Sequence, residues 1–138
     1  MSRRGVLTWA AGLCLFLAAC SASWAQGSAP AAARNPQYQA LFKRMFDDPT
    51  NVEATFRFAE MAIKLGDYEA AIGALERILF FNPNLPRVRL QLGVLYFKLG
   101  SYPMARSYFE QARGTPGAPA DVRTQADQFL AEMDRVVP

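Results

Sequence analysis

Histidine is absent from the 138 residues, and the only two cysteines, Cys14 and Cys20, both fall in an apolar stretch near the N-terminus. The chain beyond residue 20 therefore has no imidazole base, no thiol nucleophile, no intrachain disulfide and no His or Cys metal site. Charge of one sign is missing too. Setting aside the first 25 residues, which carry Arg3 and Arg4, reduces the formal +3 to +1, and the remaining Arg and Lys are interspersed with Glu and Asp. Phosphate contact needs a clustered basic face, so a nucleic-acid partner is not expected. No Gly-rich phosphate loop is present either. The one adjacent carboxylate pair, Asp47-Asp48, precedes Pro49, where Asp reads as a solvated turn residue rather than half of an acid-base couple. Ser101, Ser107 and Thr115 have no His to activate them, and nothing singles out Lys43, Lys64 or Lys98 as a base. These absences argue against an enzyme, a resident metal and a cofactor, and leave catalysis only to a site of unfamiliar make-up.

What is present is apolar. Hydrophobic residues make up 51% of the chain, enough for one small domain with a core. Residues 1–25 have the anatomy of an export signal: Arg3 and Arg4, an apolar run over 6–19, then small residues. The run is short for a permanent helical span, which takes about 20 apolar residues. Ser23-Trp24-Ala25 offers the small residues of a cleavage site that would release a periplasmic chain starting at Gln26. Leu17-Ala18-Ala19-Cys20 resembles a bacterial lipobox, which would instead place a lipid on Cys20 and anchor the product at the outer membrane. Residues 26–34 read as a small-residue flexible linker with nothing to bury, and order is expected from about Asn35.

Helical periodicity dominates the rest. Over 86–112, Leu92, Leu95, Tyr96 and Leu99 fall at spacings of three and four, and Gly93 sits where a large side chain would hold a neighbouring helix away. Gly100 ends this helix, and Ser101 with Pro103 supplies a cap and a first-turn residue for a second one carrying Ala105, Phe109 and Ala112. Thirty-four residues earlier the unit recurs: Gly66 for Gly100, Tyr68 for Tyr102, Ala71 for Ala105, Leu75 for Phe109. Leu41 stands a further 34 residues before Leu75, and Pro49 the same distance before Pro83, so Tyr38, Leu41, Phe42, Met45 and Phe46 form the apolar stripe of a half unit capped by Asn35 and Pro36. Thr50 and Glu53 have capping-box spacing ahead of a helix over about 51–65, and 68–80 is its partner. After the turn-rich 114–119, a last helix over about 120–136 carries Ala126, Phe129, Leu130, Met133 and Val137. The expected fold is all-α: a solenoid of six helices over 35–138, made of a half unit, two full units and a half unit. Glu53–Arg57, Glu60–Lys64 and Arg106–Glu110 are expected as solvated i,i+4 pairs.

The period, together with L-G-x-x-Y (Leu92, Gly93, Tyr96), G-x-Y (Gly100, Tyr102), Ala105, Phe109, Ala112 and the closing Pro83, resembles the tetratricopeptide repeat family. That resemblance implies a protein-binding scaffold whose first helices line a groove. The carried-over groove positions are Glu53, Phe56, Glu60, Ile63 and Lys64 on one unit and Arg87, Leu90, Val94, Phe97 and Lys98 on the next. Phe56 and Phe97 read equally well as core or as ligand contacts. The basic and Asn residues with which some relatives hold a terminal carboxylate are replaced by Phe56, Glu60, Leu90 and Val94, which disfavours that mode. A looser resemblance joins 79–134 to the periplasmic repeat module preceding an outer-membrane barrel in Gram-negative surface proteins. No alternating ten-residue strands follow here. The expected partner is a protein of the cell envelope, with a barrel protein or a second copy of the chain docking on Phe129, Leu130 and Met133 of the last helix as the alternative.

Overall fold

The computed structural model describes residues 31–136. Six α-helices follow a short 3-10 turn at Ala31–Arg34: α1 (Pro36–Asp47), α2 (Val52–Lys64), α3 (Tyr68–Phe81), α4 (Pro86–Lys98), α5 (Tyr102–Gly114) and α6 (Ala120–Val136). Each packs chiefly against its neighbours in sequence, and α4 also touches α6. The all-α solenoid read from the periodicity is the fold observed. Residues 1–30, with the export signal and Cys20, lie outside the described region, as does Val137.

The helix boundaries follow from local chemistry. Asn35 accepts from the amides of Gln37 and Tyr38, and Pro36 occupies a first-turn position where no amide is needed. Gly66 and Gly100 take φ values of 76° and 72°. Their left-handed backbone lets the following amides turn back: Asp67 N donates to Ala62 O at 2.9 Å, and Ser101 N to Tyr96 O at 2.9 Å. Asp67 also caps α3 through Ala70 N and accepts the Tyr38 hydroxyl at 2.8 Å, tying α1 to the start of α3.

Several local expectations are corrected. Asn51, not Thr50, caps α2, because the Thr50 hydroxyl is taken by Asp48 at 2.9 Å and Glu53 turns to Arg57. Ser101 makes no side-chain cap on α5. Order starts before Asn35, since Ala32 is buried in the core beside α1. Leu99 is exposed because it stands at the α4 C-cap, beyond the buried stripe. On α1 only Tyr38 and Met45 are buried, while Phe42 is 46% and Phe46 68% exposed, since among the described residues α2 and the short Ala31–Arg34 turn are its main packing neighbours. Of the three i,i+4 pairs, Glu53–Arg57 forms at 2.7 Å, Glu60–Lys64 is not bridged, and Arg106 passes over Glu110 to reach Asp134 at 2.6 Å.

Two apolar clusters make up the core. Phe58, Ala59, Ala62, Ala71, Leu75, Ile78, Leu92 and Leu95 belong to the first, and Leu90, Ala105, Phe109, Ala112, Val122, Ala126, Leu130 and Met133 to the second; Tyr96 packs on both. The tightest approach is at Gly93, where an added Cβ would lie 2.6 Å from the Phe109 ring. Gly73, in the middle of α3, would meet nothing within 4 Å. Gly93→Ala is expected to overpack this crossing by about 1–3 kcal/mol and lower Tm by roughly 5 °C or more. Gly73→Ala, which only stiffens the unfolded chain and improves helix propensity, is expected to raise stability by about 0.5–1 kcal/mol. Thermal unfolding of the two variants beside the parent checks the contrast, and equal melting temperatures would refute it.

Candidate protein-binding face

The first helix of each unit, α2 and then α4, carries all the groove positions read from the sequence. Glu53, Glu60 and Lys64 on α2, and Arg87 and Lys98 on α4, are exposed. Phe56, Ile63, Val94 and Phe97 are half-buried between them, and Leu90 is buried within the second cluster. Charge here is locally balanced. Glu53 bridges Arg57, and Arg87 reaches across to Asp121 of α6 at 2.8 Å. The Lys98 ammonium lies 5.9 Å from the centroid of the Tyr68 ring, a cation–π contact. Each of the two helices thus carries half-buried aromatic and aliphatic side chains with exposed charges beside them.

Phe97 is where the core and contact readings meet. Its ring sits 5.6 Å from Tyr102 and 6.0 Å from Phe129, so it helps hold α4, α5 and α6 together while keeping part of its surface open. Phe129 lies flat on Phe109, with centroids 4.8 Å apart and an interplanar angle of 4°. Leu130 and Met133 are 7% and 1% exposed in the same cluster. The apolar stripe expected to dock on another chain is therefore spent inside this one. Arg113–Asp127 at 3.0 Å and Arg106–Asp134 at 2.6 Å fasten α6 along α5. Such bridges couple residues too distant in sequence for an i,i+4 search to find.

A polar cluster that sequence reading missed lies between α3, α4 and α5. Tyr96 and Tyr108 stack at 5.5 Å, and both hydroxyls donate to one Glu76 oxygen, at 2.8 and 3.2 Å. Burial, then the Glu76 hydrogen bond and charge, push the Tyr96 hydroxyl up to about 12. Burial, then Asp67, does the same for Tyr38. The only cue in the sequence was a pair of aromatics on consecutive helices.

A cleft of about 340 Å³ opens between α1 and α2, lined by Leu41, Arg44, Asp47, Asn51, Glu53, Ala54 and Arg57. Its carboxylates are both ion-paired, Asp47 to Lys43 and Glu53 to Arg57. Among the described residues no group of His, Cys, Asp and Glu is placed to hold a metal ion, and no helix is long and apolar enough to cross a membrane.

Paired antiparallel helices stacked at a 34-residue period, with small residues at the crossings, define a helical-repeat protein of the kind that presents surface to other proteins. This chain belongs to the tetratricopeptide repeat family: that family's sequence profile matches residues 17–86 and again 56–119. A 57-residue stretch is 35% identical to stress-induced-phosphoprotein 1 of Caenorhabditis elegans, covering 41% of this chain and 18% of that protein. The solved structure of MamA superposes with a TM-score of 0.60 at 20% identity, covering 70% of this chain and 57% of that one. The chain thus spans under a fifth of the curated relative and little more than half of the structural neighbour. Family and fold together make it a repeat scaffold of a typically non-catalytic kind.

A raised tyrosine pKa marks a neutral form favoured by folding, so its stabilisation is complete below the unfolded value near 10 and is lost as pH climbs toward 12. In an ultraviolet titration Tyr38 and Tyr96 are expected to ionise last, with stability falling across that window. Tyr96→Phe should remove one late transition and flatten the fall; an unchanged titration curve would refute the assignment.

Proposed function

We propose that the chain is a protein-interaction scaffold of the bacterial cell envelope that binds a segment of a partner along the open face of α2 and α4. The observation that carries this is the half-open aromatic floor of Phe56 and Phe97, flanked by the exposed Glu60, Lys64, Arg87 and Lys98. Partly buried aromatics ringed by adaptable charge are the surface type from which binding hot spots are drawn. Locally paired charges such as Glu53–Arg57 cost little to rearrange, being solvent-exposed on both sides.

The envelope assignment is supported by the basic, apolar and small-residue order of residues 1–25. Cleavage after Ala25 delivers a periplasmic protein, and lipidation at Cys20 an outer-membrane-anchored one, with a barrel protein as one partner suited to either setting. Mass spectrometry of the mature N-terminus decides between them: a chain starting at Gln26 supports release, a diacylglyceryl mass on Cys20 supports the anchor, and an intact Met1 refutes export.

The groove reading is tested by crosslinking in the envelope followed by capture and identification of the partner. Partner capture is expected to fall about tenfold for Phe56→Ala and for Glu60→Lys combined with Lys64→Glu, the latter being exposed changes that leave the core intact. Capture unchanged in folded variants, or turnover of a substrate by the purified protein, would overturn it.

A further inference from the structure

The two ends of the described stack are complementary halves. By the 34-residue register, α1 stands where the second helix of a unit stands, with Leu41 and Arg44 in the positions of Leu75 and Ile78. One unit on, Leu75 and Ile78 are 0% and 2% exposed, because α2 lies against α3. Among the described residues no first helix lies against α1, and the cleft lined by Leu41, Arg44 and Asp47 occupies that flank. At the other end α6 stands in first-helix register, with Arg123 and Asp127 in the positions of Arg89 and Gly93. Both Arg123 and Asp127 are exposed.

We propose that α6 of one copy seats in the α1–α2 cleft of a second copy, completing a unit across the junction and joining the chains head to tail. The pairing inside the chain supplies the template. In the complete unit Arg89 on α4 donates to Thr115 at 2.7 Å, while Gly93 faces the Phe109 ring. Shifting α4 by one period and the α5 side by two puts Arg123 opposite Asp47, and Asp127 opposite Leu41, with Arg44 one turn further along. Arg123 thereby meets its opposite charge in Asp47, and Arg44, which lies between Leu41 and Asp47 along α1, is the cation nearest to Asp127. Among the described residues neither Arg44 nor Arg123 has an acidic partner within 4 Å. Asp127, now on Arg113, and Asp47, now on Lys43, are held by exposed bridges that exchange at little cost.

The junction is polar where the internal crossing is apolar. Asp127 takes the place of the glycine that lets α4 and α5 approach closely, so the copies meet more loosely than α4 meets α5. Association is correspondingly weak and concentration-dependent. Its contacts are heterologous, one copy's tail on the next copy's head, so it yields open chains of copies rather than a closed dimer unless the rotation happens to close a ring.

The test is a charge exchange read by analytical ultracentrifugation of the protein as the cell produces it. The parent is expected to self-associate with rising concentration. Arg123→Asp alone sets Asp against Asp47, and Asp47→Arg alone sets Arg against Arg123. Each is expected to weaken association about tenfold or more, with an unchanged far-ultraviolet circular dichroism spectrum. Mixing the two variants pairs every altered tail with an altered head, and is expected to restore association to the parental level. A parent that stays monomeric to about 1 mM, singles that associate as the parent does, or a mixture that fails to recover would each give the cleft to another occupant and overturn the proposal.

Discussion

The flat stack of Phe109 and Phe129 against Gly93 is the constraint from which the C-terminal half takes its shape. Phe109 can reach the α4 backbone only because position 93 has no side chain, and an added Cβ would come within 2.6 Å of the ring. With Phe109 seated there, Phe129 stacks parallel on its ring at 4.8 Å and brings α6 onto α5. Phe97 closes against Phe129 and Tyr102, so a residue of the candidate face is fixed by the same aromatic group that builds the core. A scaffold of this size has little core to spare, and a half-exposed residue on its main packing seam is held rigid without further elements.

The first unit solves the same problem differently. Ala59 and Leu75 stand where the second unit has Gly93 and Phe109, and both are fully buried. Volume is conserved across the crossing while its distribution between the two helices changes, which packed cores tolerate well. Polar ties then do what the large ring does elsewhere: Tyr38 reaches Asp67 across the α1–α3 gap, and Tyr96 and Tyr108 converge on Glu76 where the two clusters meet. Because the Tyr38 and Tyr96 hydroxyls stay neutral until about pH 12, these ties hold at neutral pH and are lost as the hydroxyls ionise in strong alkali.

Long-range ion pairs set the last helix. Arg113–Asp127 and Arg106–Asp134 run from α5 to one edge of the buried stripe of α6, and Arg87–Asp121 runs from α4 to its other edge. All are solvent-accessible on both sides, so their worth is orientation more than stability. They direct the apolar stripe of Ala126, Leu130 and Met133 inward and leave Arg123 and Glu132 outward.

Six helices, their order, the glycine stops and the residues at the crossings were legible in the sequence, because helical period and the 34-residue register depend only on which residue types recur where. Caps were legible where a side chain has one local partner, as at Asn35, and misread where two compete, as at Thr50, whose hydroxyl goes to Asp48. Which residues stand on α2 and α4 at the positions expected to line a groove was legible, but whether each is open or packed was not. Leu90 and Val94 read alike, yet Leu90 is closed in by α5 and α6. The role of Leu130 and Met133 turned on the same fact, for a stripe on a terminal helix looks unpartnered until the helix folds back. Tertiary structure alone decided the tyrosine pair on Glu76, the Arg–Asp ties to α6 and the cleft beside α1. Each joins side chains brought together by the angle at which one helix crosses another, which no spacing along a single helix encodes.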